Sequence, residues 1–528
     1  MNDKHAAQGA PGAPGASSDI PSGVPPLAPR GAPGHAAETE TRHFKREMTL
    51  FDSMMIVMGA MIGSGIFIVS ADIARTVGSP GILILVWIIT GVVTVIGALS
   101  YGELAGMMPQ AGGLYVYLRE AYNPLVGFLY GWTTFLVIQT GTIAAICVAF
   151  AKFTGHIFPW FGEEHILLTV LGLKISRAQV LAIAALVLLT YLNMRGLKTG
   201  KTIQGIFTVT KTAALFGLIV LGFVMGANAT AVKANLAHLW HASWTHMADG
   251  KILSVEPLTG LMVLAAIGAA MVGSLFASDS WYQVTYIAGE VKNPRKNIPL
   301  SLALGAGIVI LLYVLANLAY VASLPVQGSP DAADVLGRGI QFAAADRVGT
   351  AAASMIFGAP AAGIMAVLIM ISTFGCANGQ ILAGARVYYA MARDGLFFNA
   401  TGKLNRKSVP GTALVVQCVW ASLLCLSGTY SDLLDYVIFA VLIFFVLIVS
   451  GIFILRKKRP GAERPYRAWG YPALPAIYIL VAAAIAVDLL IFKTGYTLPG
   501  LLIVLLGIPV YFLRKKLAGP AVQSASGD

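Results

Sequence analysis

Charge is what this sequence has least of. Asp, Glu, Lys and Arg make up 11% of its 528 residues, against 57% hydrophobic residues, where a soluble globular chain carries about 25% charged residues. So few charges cannot cover a water-facing surface on a chain this long, which excludes an ordinary soluble protein and makes lipid the main solvent. Cysteine is scarcer still. Cys147, Cys376, Cys418 and Cys425 are the whole set, all inside apolar runs and without metal-ligand spacing. That argues against a disulfide framework or a zinc site and leaves them as small packing residues. No H-E-x-x-H, no G-x-x-x-x-G-K-[ST] and no nucleophile elbow occurs, so no enzyme, metal or cofactor is indicated. Any vectorial work then draws on a gradient or on exchange. Large apolar residues are few in residues 1–41, which are rich in Pro, Gly and Ala. Residues 1–47 therefore read as a disordered tail with no signal peptide, and 514–528 as a second tail.

What is present is a series of long apolar runs. A membrane-spanning helix needs about 20 apolar residues, and twelve stretches qualify: 48–70, 82–104, 125–153, 178–194, 203–225, 257–288, 300–324, 355–383, 412–427, 433–455, 472–492 and 497–513. Alternating β-barrel patterning is absent, so these are helices. Basic residues then fix an expected orientation. With the N-terminus inside, 26 Lys and Arg fall in the tails and inner loops, 9 fall outside, and Lys211 is left within a span. That places both termini in the cytoplasm of a multi-pass protein of the cell membrane. It also explains the net charge of +12 without nucleic acid. The outer loop 226–256 carries His238, His241 and His246 with Trp240 and Trp244. A metal site there is conceivable, but an interfacial helix with aromatic anchors is the reading adopted.

Three features inside the spans are unusual. Gly63-Ser64-Gly65 interrupts the first span. Each glycine weakens a helix by about 1 kcal/mol relative to Ala. Close packing through small residues is one reading; a helix break is the other. A break would present N–H groups and carbonyls at mid-membrane depth, suited to a carboxylate and an ammonium. Phe276-Ala277-Ser278-Asp279-Ser280-Trp281 lies in the middle of the sixth span. A carboxylate there costs about 2.5–3.5 kcal/mol on insertion scales, and Ser and Asp compete with the helical backbone. Asp279 is read as a site residue, with an interhelical ion pair or a neutral acid as alternatives. Breaks in corresponding helices of two halves point to a transport site. Lys211 lies in the fifth span near Thr208, Thr210 and Thr212. It either faces the bundle interior and finds acceptors or snorkels to the inner surface.

Taken together, certain stretches resemble the amino acid–polyamine–organocation superfamily, in particular its L-type amino acid transporter branch. They are Met61-Ile62-Gly63-Ser64-Gly65-Ile66-Phe67, Ser100-Tyr101-Gly102-Glu103-Leu104, the run from Gly112 to Ala121, Gly289-Glu290-Val291-Lys292-Asn293-Pro294 with Asn297-Ile298-Pro299, and Ser372-Thr373-Phe374-Gly375 with Asn378-Gly379. The resemblance covers residues 48–513. It implies an all-α integral membrane protein with a LeuT-type inverted repeat, five helices (48–226) plus five (257–455), and two additional helices (472–513). It further implies that Ser64, Gly65 and Ile66 meet a substrate carboxylate. Carbonyls of Met61, Phe276, Ala277 and Asp279 would meet the ammonium, and the Phe276 ring would act as a gate. Gly63 to Gly65 and Ser278 to Ser280 would be the helix breaks, and Lys211 would stand in for a sodium ion.

The chain departs from the family in three places. Many members have glycine where Ser280 stands, and some at Asp279. The loop 155–177 has no cysteine, so the disulfide that joins some members to a heavy subunit is not expected. Val441 stands where some members are polar, which favours apolar substrate side chains. The expected function is sodium-independent, secondary active transport of amino acids, neutral ones first, by exchange or proton coupling. A cationic amino acid or polyamine, with Asp279 as counter-charge, is the main alternative. A non-transporting amino-acid receptor is the rival from another class.

Overall fold

A helix in lipid inverts the usual amphipathic rule: its apolar stripe faces out and its polar stripe faces the bundle. The helix Leu197–Val224 shows this most plainly. Ile206, Val209, Phe216, Val220 and Phe223 are exposed, at spacings that follow one helical face, while Gln204, Thr208 and Lys211 are buried on the other. Lys211 does not snorkel; it points into the protein at 3% exposure.

The computed structural model describes residues 44–170, 173–248, 251–427, 430–492 and 494–517. Most of the two expected tails lies outside the described residues. In order, the helices are α1 (Leu50–Met61), α2 (Ser70–Val77), α3 (Pro80–Met107), α4 (Leu114–Ala121), α5 (Pro124–Thr133), α6 (Gln139–Ile157), α7 (Arg177–Met194), α8 (Leu197–Val224) and α9 (Ala229–Ala237). They continue as α10 (Leu261–Ala277), α11 (Pro294–Ser323), α12 (Val335–Arg338), α13 (Val348–Phe357), α14 (Ala361–Arg393), α15 (Gly411–Ser427), α16 (Tyr430–Lys458), α17 (Ala473–Phe492) and α18 (Thr494–Leu517). A π-helical turn, Thr134–Ile138, joins α5 to α6, so these form one crossing. Among the described residues, nine helices are long and apolar enough to cross a membrane. The interrupted α1–α2 and α10 segments and the shorter α15 bring the crossings to about twelve.

Local signals set the ends. Thr49 and Asp52 form a capping box at the start of α1. Ser79 accepts from the Ile82 N–H ahead of Pro80 at the start of α3. Buried Glu103 on α3 accepts from Arg456 at 2.7 Å and from the Ala468 N–H at 2.7 Å. Glu120 on α4 bonds Arg459 and Arg119. Burial raises its carboxyl, but hydrogen bonds from Arg459 and Arg119 outweigh that and hold it below the usual range.

Three expectations need correction. The eighth span does not begin at residue 355. Gly358, at φ +63°, ends α13, and the crossing helix α14 starts at Ala361 and runs ten residues past 383. Arg386, read as an inner-loop cation, is therefore on a helix and fully buried, where Glu290 neutralises it. The outer loop 226–256 contains a short helix, but its histidines and tryptophans are not on it. Trp244 and His246 sit on β3 (Ser243–Ala248), which pairs antiparallel with β4 (Lys251–Pro257). A second hairpin, β1 (Ile166–Val170) with β2 (Leu173–Ser176), occupies the loop before α7. The outer loop 325–354 holds α12 and the start of α13.

Candidate functional site

The first break lies where two glycines flank Ser64. α1 stops at Met61, Ile62 turns extended (φ −73°, ψ 94°), and the chain resumes as a single 3-10 turn, Gly65–Phe67, before α2. Stopping a helix at this depth orphans carbonyls that no water-rich phase can serve. Neighbouring helices supply the donors. The Lys211 ammonium donates to the Gly59 and Ile62 carbonyls at 2.6 Å each and to the Ser372 carbonyl at 3.3 Å. Ser372 Oγ donates to Ile62 and Gly63 at 3.0 and 3.2 Å. Cys376 Sγ reaches the Ala60 carbonyl at 3.2 Å.

The second break ends α10 at Ala277. Ser278 is its non-helical cap, Ser280 is left-handed at φ +71°, and a 3-10 turn, Trp281–Thr285, follows instead of an α-helix. Ser and Asp side chains disfavour a continuous helix here, and Ser280 Oγ reaches Asp279 Oδ2 at 3.5 Å. The two breaks touch. A Cβ on Gly65 would lie 2.8 Å from Ala277 Cβ and 3.1 Å from its Cα. The Tyr313 hydroxyl on α11 bridges them, 2.9 Å from the Met61 carbonyl and 3.2 Å from the Ala277 carbonyl.

Beside the second break is a small cavity of about 40 Å³. Phe276, Ser278, Asp279 and Trp281 line one side, with Val441 of α16 and Tyr478 of α17 opposite. Ser278 Oγ and Asp279 Oδ1 are buried there without a hydrogen-bond partner among the described residues. Residues of the first break do not line this cavity. The structure thus brings Met61, Gly65 and Ala277 together, and sets Lys211 beneath the end of α1 with Gly63. Ser64 and Ile66 sit within the first break. Phe276 and Asp279 face a separate space on the far side of α10.

Sequence reasoning missed Tyr313 and gave Ser372, Cys376 and Gln380 no role. A signal for the last three existed. They recur at i, i+4 and i+8 along an apolar span, one polar stripe on α14.

An interrupted helix pair, bridged at mid-depth inside about twelve crossings, is the frame against which similarity to known proteins has meaning. The amino acid permease family's profile matches residues 48–508. The chain belongs to that family. It is therefore an amino acid transporter, not an enzyme. It is 30% identical over 476 residues to the human "Large neutral amino acids transporter small subunit 2", covering 89% of this chain and 80% of the relative. It is 29% identical over 483 residues to the "Serine/threonine exchanger SteT" of Bacillus subtilis (strain 168), covering 90% and 99%. It is 27% identical over 481 residues to the mouse "b(0,+)-type amino acid transporter 1", covering 91% and 90%.

Proposed function

We propose that this permease carries neutral amino acids by alternating access, without sodium, as an exchanger or in company with protons. One observation carries the sodium independence. The Lys211 ammonium, held by carbonyls of α1 and α14, already places a positive charge where the broken helix needs one. Exchange and neutral substrates are supported by the relatives' names and by apolar Val441 in the cavity wall. In this reading the backbone of Ser64, Gly65 and Ile66 receives the carboxylate, and carbonyls near Met61, Phe276, Ala277 and Asp279 receive the ammonium. The five-helix repeats run 48–226 and 257–455, and both termini face the cytoplasm. All four cysteines are free and buried, so association with a second subunit would not use a disulfide from this chain.

The test is uptake of labelled alanine and leucine into proteoliposomes in sodium-free buffer, with and without unlabelled amino acids inside. Uptake without sodium is expected, raised severalfold by internal substrate. A strict need for sodium would sink the reading. Uptake indifferent to internal substrate but driven by a pH gradient would select the proton-coupled form.

A second reading has its own observation. Asp279 Oδ1 is buried at a cavity wall with no hydrogen-bond partner among the described residues, as a counter-charge for a cationic side chain would be. Arginine would then compete with labelled leucine at least as well as alanine does. Competition by alanine and not by arginine is the expected outcome if the substrates are neutral.

A further inference from the structure

Next to the second break, three buried glutamines meet. Gln139 of α6, Gln380 of α14 and Gln283 of the turn after the break are each 1% exposed. Gln139 Nε2 donates to Gln380 Oε1 at 2.8 Å and to the Gln380 carbonyl at 2.8 Å. Gln283 Nε2 donates to Gln380 Oε1, and to Gln139 Oε1 at 3.4 Å. Gln380 Nε2 in turn donates to Ser280 Oγ at 2.9 Å, and Ser280 Oγ reaches Asp279 Oδ2 at 3.5 Å. Gln380 is the node: it touches both other amides and the break itself.

The arrangement continues along the segment after the break. Gln283, Tyr286 and Glu290 each reach a neighbouring element through their side chains. Gln283 meets the amide layer. The Tyr286 hydroxyl bonds that of Tyr130 on α5. Glu290 takes two bonds from Arg386 on α14, at 2.9 and 3.2 Å. The Glu290 carbonyl also accepts the N–H groups of Glu47 and Met48, at 3.0 Å each, which ties the segment to the start of α1. These are three layers: neutral amides, phenols, and a buried ion pair whose charge-assisted bonds are the strongest of the three kinds. The amide layer, nearest Asp279, is also the one left incompletely satisfied, since Gln283 Oε1 has no partner among the described residues.

We infer that Gln380 is a positioning residue that links the Asp279–Ser280 break to segment 281–290, and that its amide layer sets how readily this segment leaves α6 and α14. This rests on the alternating-access reading. A change at Asp279 pulls on Ser280, Ser280 on Gln380, and Gln380 on the Gln283 end of the segment. Weakening the layer favours the conformation open on that side, so substrate arriving from the opposite side meets fewer competent molecules and shows a raised KM.

The experiment measures initial uptake in membrane vesicles of the two opposite orientations. For Gln380→Ala the ratio of the two KM values is expected to change at least tenfold, and for Asn235→Ala, a buried amide of α9 that bonds the Val321 and Leu324 carbonyls away from this layer, less than twofold. Ser280→Gly should shift the ratio in the same direction by a smaller factor, and the double variant no further than Gln380→Ala alone. An equal loss from both sides, or effects that multiply in the double variant, would overturn the inference. Amide hydrogen exchange decides it independently of flux. Segment 281–290 should exchange at least tenfold faster in Gln380→Ala, and also in Gln283→Leu should the first variant fold poorly, but not in Asn235→Ala. Unchanged protection in both variants overturns the link even if the wild type transports, whereas a wild type without flux from either side, with the link intact, would count against alternating access alone.

Discussion

Replacing Lys211 with Met is expected to lower amino acid uptake by about two orders of magnitude or more, with the protein still inserted in the membrane. Hydrogen bonds to a charged group are worth about 1.5–3 kcal/mol each, and Lys211 makes three, two of them at 2.6 Å to the end of α1. Met keeps most of the volume and the stem, so packing on Leu215 and its neighbours survives. What is lost is the donor set that allows α1 to stop at Met61. The Gly59 carbonyl loses its side-chain donor. Ile62 keeps only Ser372 Oγ. A helix end short of donors at this depth rearranges to recover them, and the rearrangement moves the backbone of Ser64 and Gly65. Uptake in proteoliposomes checks the prediction. Full activity of Lys211→Met would remove the lysine from any role in transport.

The second large effect belongs to Gly65. Gly65→Ala is expected to reduce transport at least a hundredfold, while Gly63→Ala stays within a few-fold of wild type. The two glycines look alike in sequence, one on each side of Ser64. Their surroundings differ. A methyl on Gly65 would press on the Cβ and backbone of Ala277, 2.8 and 3.1 Å away. Both neighbours belong to the other break, so relief requires the two breaks to part. A methyl on Gly63 meets only Cys376 Sγ at 4.0 Å, ordinary contact. Comparing initial rates of the two variants at matched expression tests this. Equal loss in both would mean that backbone freedom, not the approach of the two breaks, is what the glycines supply.

Much of the frame was legible because lipid writes its demands into composition. The apolar runs marked the crossings, and Gly63-Ser64-Gly65 and Ser278-Asp279-Ser280 marked interruptions that the structure places at Ile62 and Ser278. Other features depended on partners far along the chain. Tyr313 is one tyrosine in an apolar span, and its importance lies in carbonyls 252 and 36 residues away. Arg386 looked like a loop cation because its neutralising partner, Glu290, is 96 residues distant. The separation of the cavity from the first break was also beyond reach. Periodicity gives which residues share a helix face, but not which neighbouring helix that face meets once the helix is broken.

The Tyr313 bridge has a consequence in simple proton counting. One hydroxyl carries one hydrogen, and two carbonyls, from Met61 and Ala277, lie within its reach. It can serve only one of them well at a time. The other is then open to a second donor, such as water or the N–H of a ligand. A zwitterion arriving with three ammonium hydrogens would relieve both halves of the molecule in one step. The join between the two breaks is in this sense a shared debt of a single proton donor, and a substrate is the kind of molecule that can settle it.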